Sequence, residues 1–147
     1  APSAALRRMD SPEALDVTTR SELPAGALLL LSGCLGAGKT CLVQGIAAGL
    51  GIVETVTSPS YALAQHYWRL GENSPALIHL DLYRLEQAKA ADELFFQEEE
   101  EALACGALLA VEWPERLSAL PKEAWQLQLS LEGDGRRLQL QAPRRWC

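Results

Sequence analysis

The stretch that decides the fold is AGALLLLSGCLGAGKT, from Ala25 to Thr40. Its first half, up to Ser32, is a continuous apolar run whose length and glycine-rich exit favour a strand buried on both faces. From Leu42 onward, apolar residues recur at helical spacing, and Gly51 is a typical helix stop. A buried strand, a glycine-rich turn and a helix therefore follow one another here, as they do at the start of many α/β folds.

The turn between strand and helix, Gly33 to Thr40, matches the pattern G-x-x-x-x-G-K-[ST] without a gap. Its glycines let the backbone bend so that N–H groups point at phosphate oxygens, and the helix adds its positive N-terminal end. Lys39 would reach the β- and γ-phosphates, and Thr40 would offer its hydroxyl to Mg²⁺. We predict that the nucleotide-binding residues here are Gly33, Leu35, Gly36, Ala37, Gly38, Lys39, Thr40 and Cys41.

The rest of the chain continues the alternation of strands and helices. Strands are predicted over 61–68, 76–82 and 107–111, a helix within 86–105, and a hairpin from 125–131 and 138–142. Buried strands separated by helices predict a mostly parallel sheet flanked by helices, of the P-loop NTPase type. We expect the C-terminal hairpin to extend one edge of that sheet in antiparallel fashion. Residues 1–24 are polar and weakly patterned, apart from a helix start at Asp10–Glu13.

Composition bounds the class of protein. The 147 residues predict one domain, 1–147. A formal net charge of −6 argues against broad direct binding of nucleic acid, which needs a basic surface. No apolar run is long enough to cross a membrane and no signal peptide is evident, so we expect a cytoplasmic protein. The four cysteines form no C-x-x-C pair and lie near no histidine at zinc-ligand spacing, which disfavours a disulfide framework or zinc site.

Two carboxylates stand where a P-loop enzyme needs them, at the ends of predicted strands. Asp81 ends the run LIHL, and Glu112 ends the run LLAV. An acidic residue directly after a buried parallel strand is costly unless it meets a cation or a donor. We therefore predict Asp81 and Glu112 as catalytic and metal-binding residues, beside Thr40 and the catalytic Lys39. A capping or salt-bridging role for either carboxylate is the alternative.

Other candidates have weaker signals. Trp113 would shield the γ-phosphate side of the site or contact a partner, with ordinary packing as the alternative. Thr57, Ser58 and Ser60 lie in the loop after the P-loop helix, where such loops sense the γ-phosphate, or they serve plain turn chemistry. Arg136 is a candidate for a contact with the base or with a partner.

The remaining polar residues receive structural interpretations. His66 and His79 are taken as core or surface histidines, because no spacing suggests metal or nucleophile work. The run Glu98 to Glu101 is predicted to be a solvated helix face. The chain has no Asn-Lys-x-Asp run of the kind that reads guanine, which favours ATP as the nucleotide.

Four motifs in order resemble the TsaE (YjeE) family of small bacterial ATPases. They are LGAGKT at 35–40, TSPSY at 57–61, HLDLYRL at 79–85 and VEWPE at 111–115. The resemblance runs from about residue 25 to 117, with a looser echo in the final hairpin. Two positions depart from the family pattern: Cys34 stands where an acidic residue or Asn is usual, and Ser60 replaces a Thr but keeps a hydroxyl.

The resemblance implies a role for each matching residue. Lys39 and Thr40 would hold phosphate and Mg²⁺, Glu112 would contribute to the metal site, and Asp81 would orient water or the metal shell. Trp113 would sit near the nucleotide, and the loop 57–60 would act as a switch.

The same resemblance implies a pathway and partners. The family serves synthesis of threonylcarbamoyladenosine (t6A) on tRNA, with the transferase pair TsaB and TsaD as protein partners and tRNA only an indirect one. ATP hydrolysis, slow in the isolated protein, would drive turnover or resetting of that complex. The alternatives are a small-molecule or nucleoside P-loop kinase, and a binding module that uses ATP only as a conformational ligand.

Overall fold

The computed structural model describes residues 3–9, 26–33, 38–57 and 63–143. Its elements in chain order are β1 (Ser3–Met9), β2 (Leu28–Ser32), α1 (Lys39–Gly49), β3 (Ala64–Tyr67), β4 (Leu77–Asp81), α2 (Ala88–Cys105), β5 (Leu108–Glu112), a short 3₁₀ helix (Pro114–Arg116), β6 (Trp125–Glu132) and β7 (Gly135–Gln141). Within these ranges no helix has the length and apolar character needed to span a membrane. The helix start predicted at Asp10–Glu13 lies outside the described residues.

The seven described strands form one sheet in the order β1-β7-β6-β2-β5-β4-β3. The central strands β6, β2, β5 and β4 run parallel, and the strands beyond them pair antiparallel. Leu29, Leu30 and Leu31 of β2 are at most 1% exposed. Since both faces of a central parallel strand are covered, its sequence is a continuous apolar run and does not alternate. The predicted α/β fold with a mostly parallel sheet is confirmed.

The C-terminal hairpin forms as predicted, with β6 and β7 antiparallel. The hairpin extends the sheet beyond β2, as expected. The junction itself is parallel, because β6 pairs parallel with β2, and β1 pairs antiparallel with the outer side of β7. Much of what an edge strand contributes is backbone hydrogen bonding, so a segment without clear apolar alternation can occupy that place. This is why the weakly patterned N-terminal residues gave no sign of β1.

In the part of the chain that the structure describes, one helix lies on each face of the sheet. The apolar core residues of α1 are Leu42, Val43, Ile46 and Ala47 on one face, and those of α2 are Ala91, Phe95 and Ala102 on the other. Successive residues of β4 enter the two cores alternately, Leu77 on the α1 side and Ile78 on the α2 side. Because strand side chains alternate, His79 and Asp81 lie on the α1 side.

Parallel strands bring the loops that follow them to one edge of the sheet. At this edge the chain leaves β2 and enters α1 through Gly38, whose φ of 103° is a conformation that only glycine adopts at low cost. The segments that follow Asp81 in β4 and Glu112 in β5 leave at the same edge. The strand order reverses at β2, which has β5 on one side and β6 on the other, and such switch points form ligand crevices in α/β sheets.

The prediction that Glu98 to Glu101 form a solvated face is wrong at its first residue. Glu98 is 8% exposed, and its Oε2 lies 2.8 Å from Nε2 of His66. Position 98 follows Ala91 and Phe95 by seven and three residues, so it falls on the helix stripe that faces the sheet. A buried carboxylate needs a partner, and His66 from β3 supplies it.

Candidate functional site

Lys39, the first residue of α1, is a buried cation at the edge of the sheet where the parallel strands β2, β4 and β5 end. It is 6% exposed, and its Nζ donates a hydrogen bond to the carbonyl oxygen of Gly33. The same Nζ lies 4.7 Å from the centroid of the Trp113 ring, within cation–π range. The P-loop lysine is thus held by its own loop and by an aromatic ring from the end of β5.

Asp81 and Glu112 stand side by side on neighbouring strands. They are register partners across β4 and β5, so both side chains project from the α1 face. Glu112 is 3% exposed, whereas Asp81 is partly exposed. Asp81 also accepts a hydrogen bond from the backbone N–H of Tyr83 at 3.0 Å, which shapes the turn after β4. Two adjacent carboxylates repel each other, and a bound cation between them would relieve that cost.

Trp113 has the only positive φ among the non-glycine residues that the structure describes, with φ 60° and ψ 50°. A left-handed conformation at a bulky residue costs about 1–3 kcal/mol and persists where its surroundings enforce it. The Trp113 ring packs on the Tyr83 ring with centroids 4.8 Å apart. The Arg116 guanidinium lies over the Tyr83 ring, 5.6 Å from its centroid. The strained turn therefore directs the Trp113 ring toward Lys39, with Tyr83 packed against that ring.

Hydrogen bonds to Asp92 of α2 hold the segment that follows Trp113. The backbone N–H of Ser118 donates to Asp92 Oδ1 at 3.0 Å, and the Ser118 hydroxyl donates to Oδ2 at 2.5 Å. These two bonds, the side-chain one first, lower the pKa of the Asp92 carboxyl below its ordinary value because they stabilise the charged form. Asp92 thus holds in place the short helix that carries the strained turn.

His79 also belongs to this site, although its sequence pattern predicted only a core or surface histidine. It is fully buried, as a core histidine should be, but its Nε2 lies 2.5 Å from Oε2 of Glu112. A signal was present, because His79 precedes Asp81 by two residues and so shares its strand face. Spacing alone does not say that a neighbouring strand brings Glu112 within reach.

The other predicted site residues are placed as follows. Thr40 and Cys41 lie in the first turn of α1, and the Cys41 side chain is exposed. Thr57 is exposed in a loop that Gln44 of α1 anchors through a 2.8 Å bond to the Val56 carbonyl oxygen. Leu35, Gly36, Ala37, Ser58 and Ser60 lie outside the described residues, and so does Cys34.

Arg136 lies on β7 beside the β6–β7 turn, where its Nη1 donates to the Gly135 carbonyl oxygen at 3.3 Å. Because β6 runs parallel to β2, this turn projects from the same edge of the sheet as the P-loop. A nucleotide or partner contact by Arg136 stays a prediction.

Comparison with known proteins gives a consistent result. A family model described as "Threonylcarbamoyl adenosine biosynthesis protein TsaE" matches residues 7–139. A Synechocystis protein named tRNA threonylcarbamoyladenosine biosynthesis protein TsaE is 44% identical over 105 residues, which cover 69% of this chain and 63% of that relative. A Treponema pallidum protein of the same name is 38% identical over 117 residues, 78% of this chain and 81% of the relative.

Among solved structures, the crystal structure of Bacillus subtilis YdiB matches with a TM-score of 0.69 at 26% identity. The match covers 99% of this chain and 91% of that one. The alignment with the Synechocystis protein, by contrast, spans just under two thirds of that relative's length.

Proposed function

Because this chain belongs to the TsaE family of threonylcarbamoyladenosine biosynthesis proteins, we propose that it is a Mg²⁺-dependent ATPase subunit supporting t6A modification of tRNA. The observation that carries the proposal is the meeting of three charged groups at one edge of the sheet. Lys39 opens α1 there, and Asp81 and Glu112 end adjacent strands on the same face. This is where a P-loop ATPase holds phosphate and metal.

The chemistry of these side chains fits ATP and Mg²⁺. Lys39 would bind the β- and γ-phosphates, and Thr40, Asp81 and Glu112 would supply one hydroxyl and two carboxylates to the metal shell. In the part of the chain that the structure describes, no group of three or more His, Cys, Asp or Glu side chains could hold a metal alone. Mg²⁺ is usually held by one or two carboxylates together with phosphates and water, so it needs no such cage. Bound Mg²⁺ would neutralise charge on the phosphates.

The action of this ATPase would be on the TsaB–TsaD transferase pair, with tRNA contacted only through that complex. Hydrolysis would reset the complex between turnovers and would not perform the transfer itself. The net charge of −6 supports assembly with proteins over direct capture of RNA. The loop 57–60 would serve as the switch that reports the γ-phosphate to those partners.

Trp113 provides an optical test of nucleotide binding at this edge. Its ring faces Lys39 at 4.7 Å, and a nucleotide that draws Lys39 to its phosphates would change the surroundings of the indole. We expect MgATP to change the tryptophan fluorescence of the wild-type protein. Trp113→Phe should lose this change even though Trp68, Trp125 and Trp146 remain. An unchanged response in Trp113→Phe would contradict the placement of the nucleotide beside this ring.

The function itself is tested by measuring ATP hydrolysis with and without the TsaB–TsaD pair and tRNA. We expect slow hydrolysis by the protein alone and faster hydrolysis with the complex, and t6A formation that needs this chain. The complex without this chain is the control for background turnover. Transfer of the γ-phosphate to a small acceptor without partners would replace the proposal with a kinase. Tight ATP binding with negligible turnover, partners present, would replace it with a binding module.

A further inference from the structure

The bond between His79 and Glu112 lies beneath the proposed site, shielded from water. The His79 side chain is 0% exposed and that of Glu112 is 4% exposed, with 2.5 Å between Nε2 and Oε2. A carboxylate only accepts hydrogen bonds, so Nε2 of His79 carries the proton. Water does not compete for this bond, which makes it stronger than the same pair at the surface.

The other ring nitrogen, Nδ1, is buried and has no hydrogen-bond partner among the described residues. The hydrogen bond to the Glu112 carboxylate is therefore what assigns the ring proton to Nε2. Among the described residues, the His79 ring therefore makes its hydrogen bond to Glu112.

The position of His79 in the sheet explains how it reaches Glu112 from below. Its cross-strand partner on β5 is Ala110, which lies one pleat deeper than Glu112 on the same face. The small side chain of Ala110 leaves room for the imidazole to extend over β5 toward the carboxylate. On the opposite side, Gln65 of β3 is the register partner of His79.

We infer that His79 is a positioning residue that holds Oε2 of Glu112 from the core side, so that Oε1 is presented to the bound metal or to water. The inference rests on the proposed function of Glu112 and adds the residue that orients it. Histidines and carboxylates bonded to a metal ligand commonly act this way, and their loss costs about 10–100-fold in metal affinity or activity.

Two substitutions separate a positioning role from simple packing. His79→Leu fills a similar volume but removes the donor, whereas His79→Gln keeps an N–H donor close to the place of Nε2. His66→Leu is the matched control, because it removes a second histidine–glutamate bond, the 2.8 Å contact with Glu98, on the opposite face of the sheet. His66 has no part in the proposed site.

We expect His79→Leu to lower kcat about 10–100-fold with KM for ATP changed less than about twofold, and His79→Gln to recover most of kcat. His66→Leu should leave kcat near the wild-type value. In a Glu112→Gln background, His79→Leu should have little further effect, since the two residues act as one unit. Equal losses in both backgrounds, or a Gln variant as poor as Leu, would overturn the inference.

Two readouts do not depend on hydrolysis. The first is the slowly exchanging ring N–H of His79 in ¹⁵N NMR spectra, which should vanish in His79→Leu and shift in Glu112→Ala. The second is the apparent Mg²⁺ affinity of the ATP complex, which should weaken in His79→Leu and recover in His79→Gln. If the wild type fails to hydrolyse ATP even with partners, the proposed function fails while these measurements still decide on His79. An unshifted ring N–H with unchanged Mg²⁺ affinity would refute the positioning role alone.

Discussion

Lys39→Ala is expected to lower kcat/KM for ATP hydrolysis by about 100-fold or more and to remove t6A from cells that depend on this chain. Charge-assisted hydrogen bonds contribute about 1.5–3 kcal/mol each. Loss of two such bonds to the β- and γ-phosphates therefore corresponds to a factor of about 100 or more, at about 1.4 kcal/mol per tenfold. The measurements are ATP turnover with the TsaB–TsaD pair and the modified nucleoside content of tRNA.

Instability must be separated from lost chemistry in this variant, because Lys39 is buried against Trp113. Lys39→Met keeps the aliphatic stem over the ring and removes only the charge, so it should fold normally and be as inactive as Lys39→Ala. Lys89→Ala removes an exposed lysine from the first turn of α2 and should leave turnover unchanged. If turnover and t6A both stay normal without the Lys39 amine, the ATPase hypothesis is wrong.

Glu112→Gln is expected to reduce kcat about 100-fold or more while binding of ATP without Mg²⁺ stays nearly unchanged. The amide keeps the shape of the side chain and can still accept the bond from His79. It lacks the negative charge that would bind Mg²⁺ or polarise water. Loss of a metal ligand or of a general base commonly lowers kcat by an amount of this size. Turnover measured over a range of Mg²⁺ concentrations tests this.

Glu98→Gln is the matched control for this substitution. Glu98 is also a buried glutamate bonded to a histidine, but it lies on the α2 face, away from Lys39. The kcat of Glu98→Gln should stay near the wild-type value. A parallel Asp81→Asn variant, which keeps the acceptor for the Tyr83 N–H, shows which carboxylate dominates. Retention of more than about a third of wild-type kcat by Glu112→Gln would exclude it from the reaction centre.

Much of the fold could be predicted because local pattern and final environment agree. The leucines of β2 are buried on both sides, and the loop after them has the glycine that a φ of 103° demands. Asp81 and Glu112 could be predicted as site residues because a carboxylate directly after a buried strand needs a cation or a hydrogen-bond donor as its partner. Their meeting follows from the parallel pairing of β4 and β5.

Predictions failed where one strand or helix depends on another. β1 gave no pattern because its place on the outer side of β7 requires backbone bonding more than apolar side chains. Glu98 looked solvated because charged runs usually are, and only the packing of α2 against β4 and β5 turns it toward His66 on the neighbouring β3. The left-handed turn at Trp113 is imposed by its surroundings and has no local sequence code.

By itself, the sequence determined the pattern of the candidate site: a strand, a loop with the G-x-x-x-x-G-K-[ST] pattern and a helix, followed by two carboxylates at strand ends. These features are local, since each depends on residues within a few positions along the chain. Only the tertiary structure decided which groups act together. It places Lys39 against Trp113, and it sets His79 beneath Glu112. Such contacts depend on strand order and register, which bring residues 33 positions apart to within 2.5 Å and which no local pattern encodes.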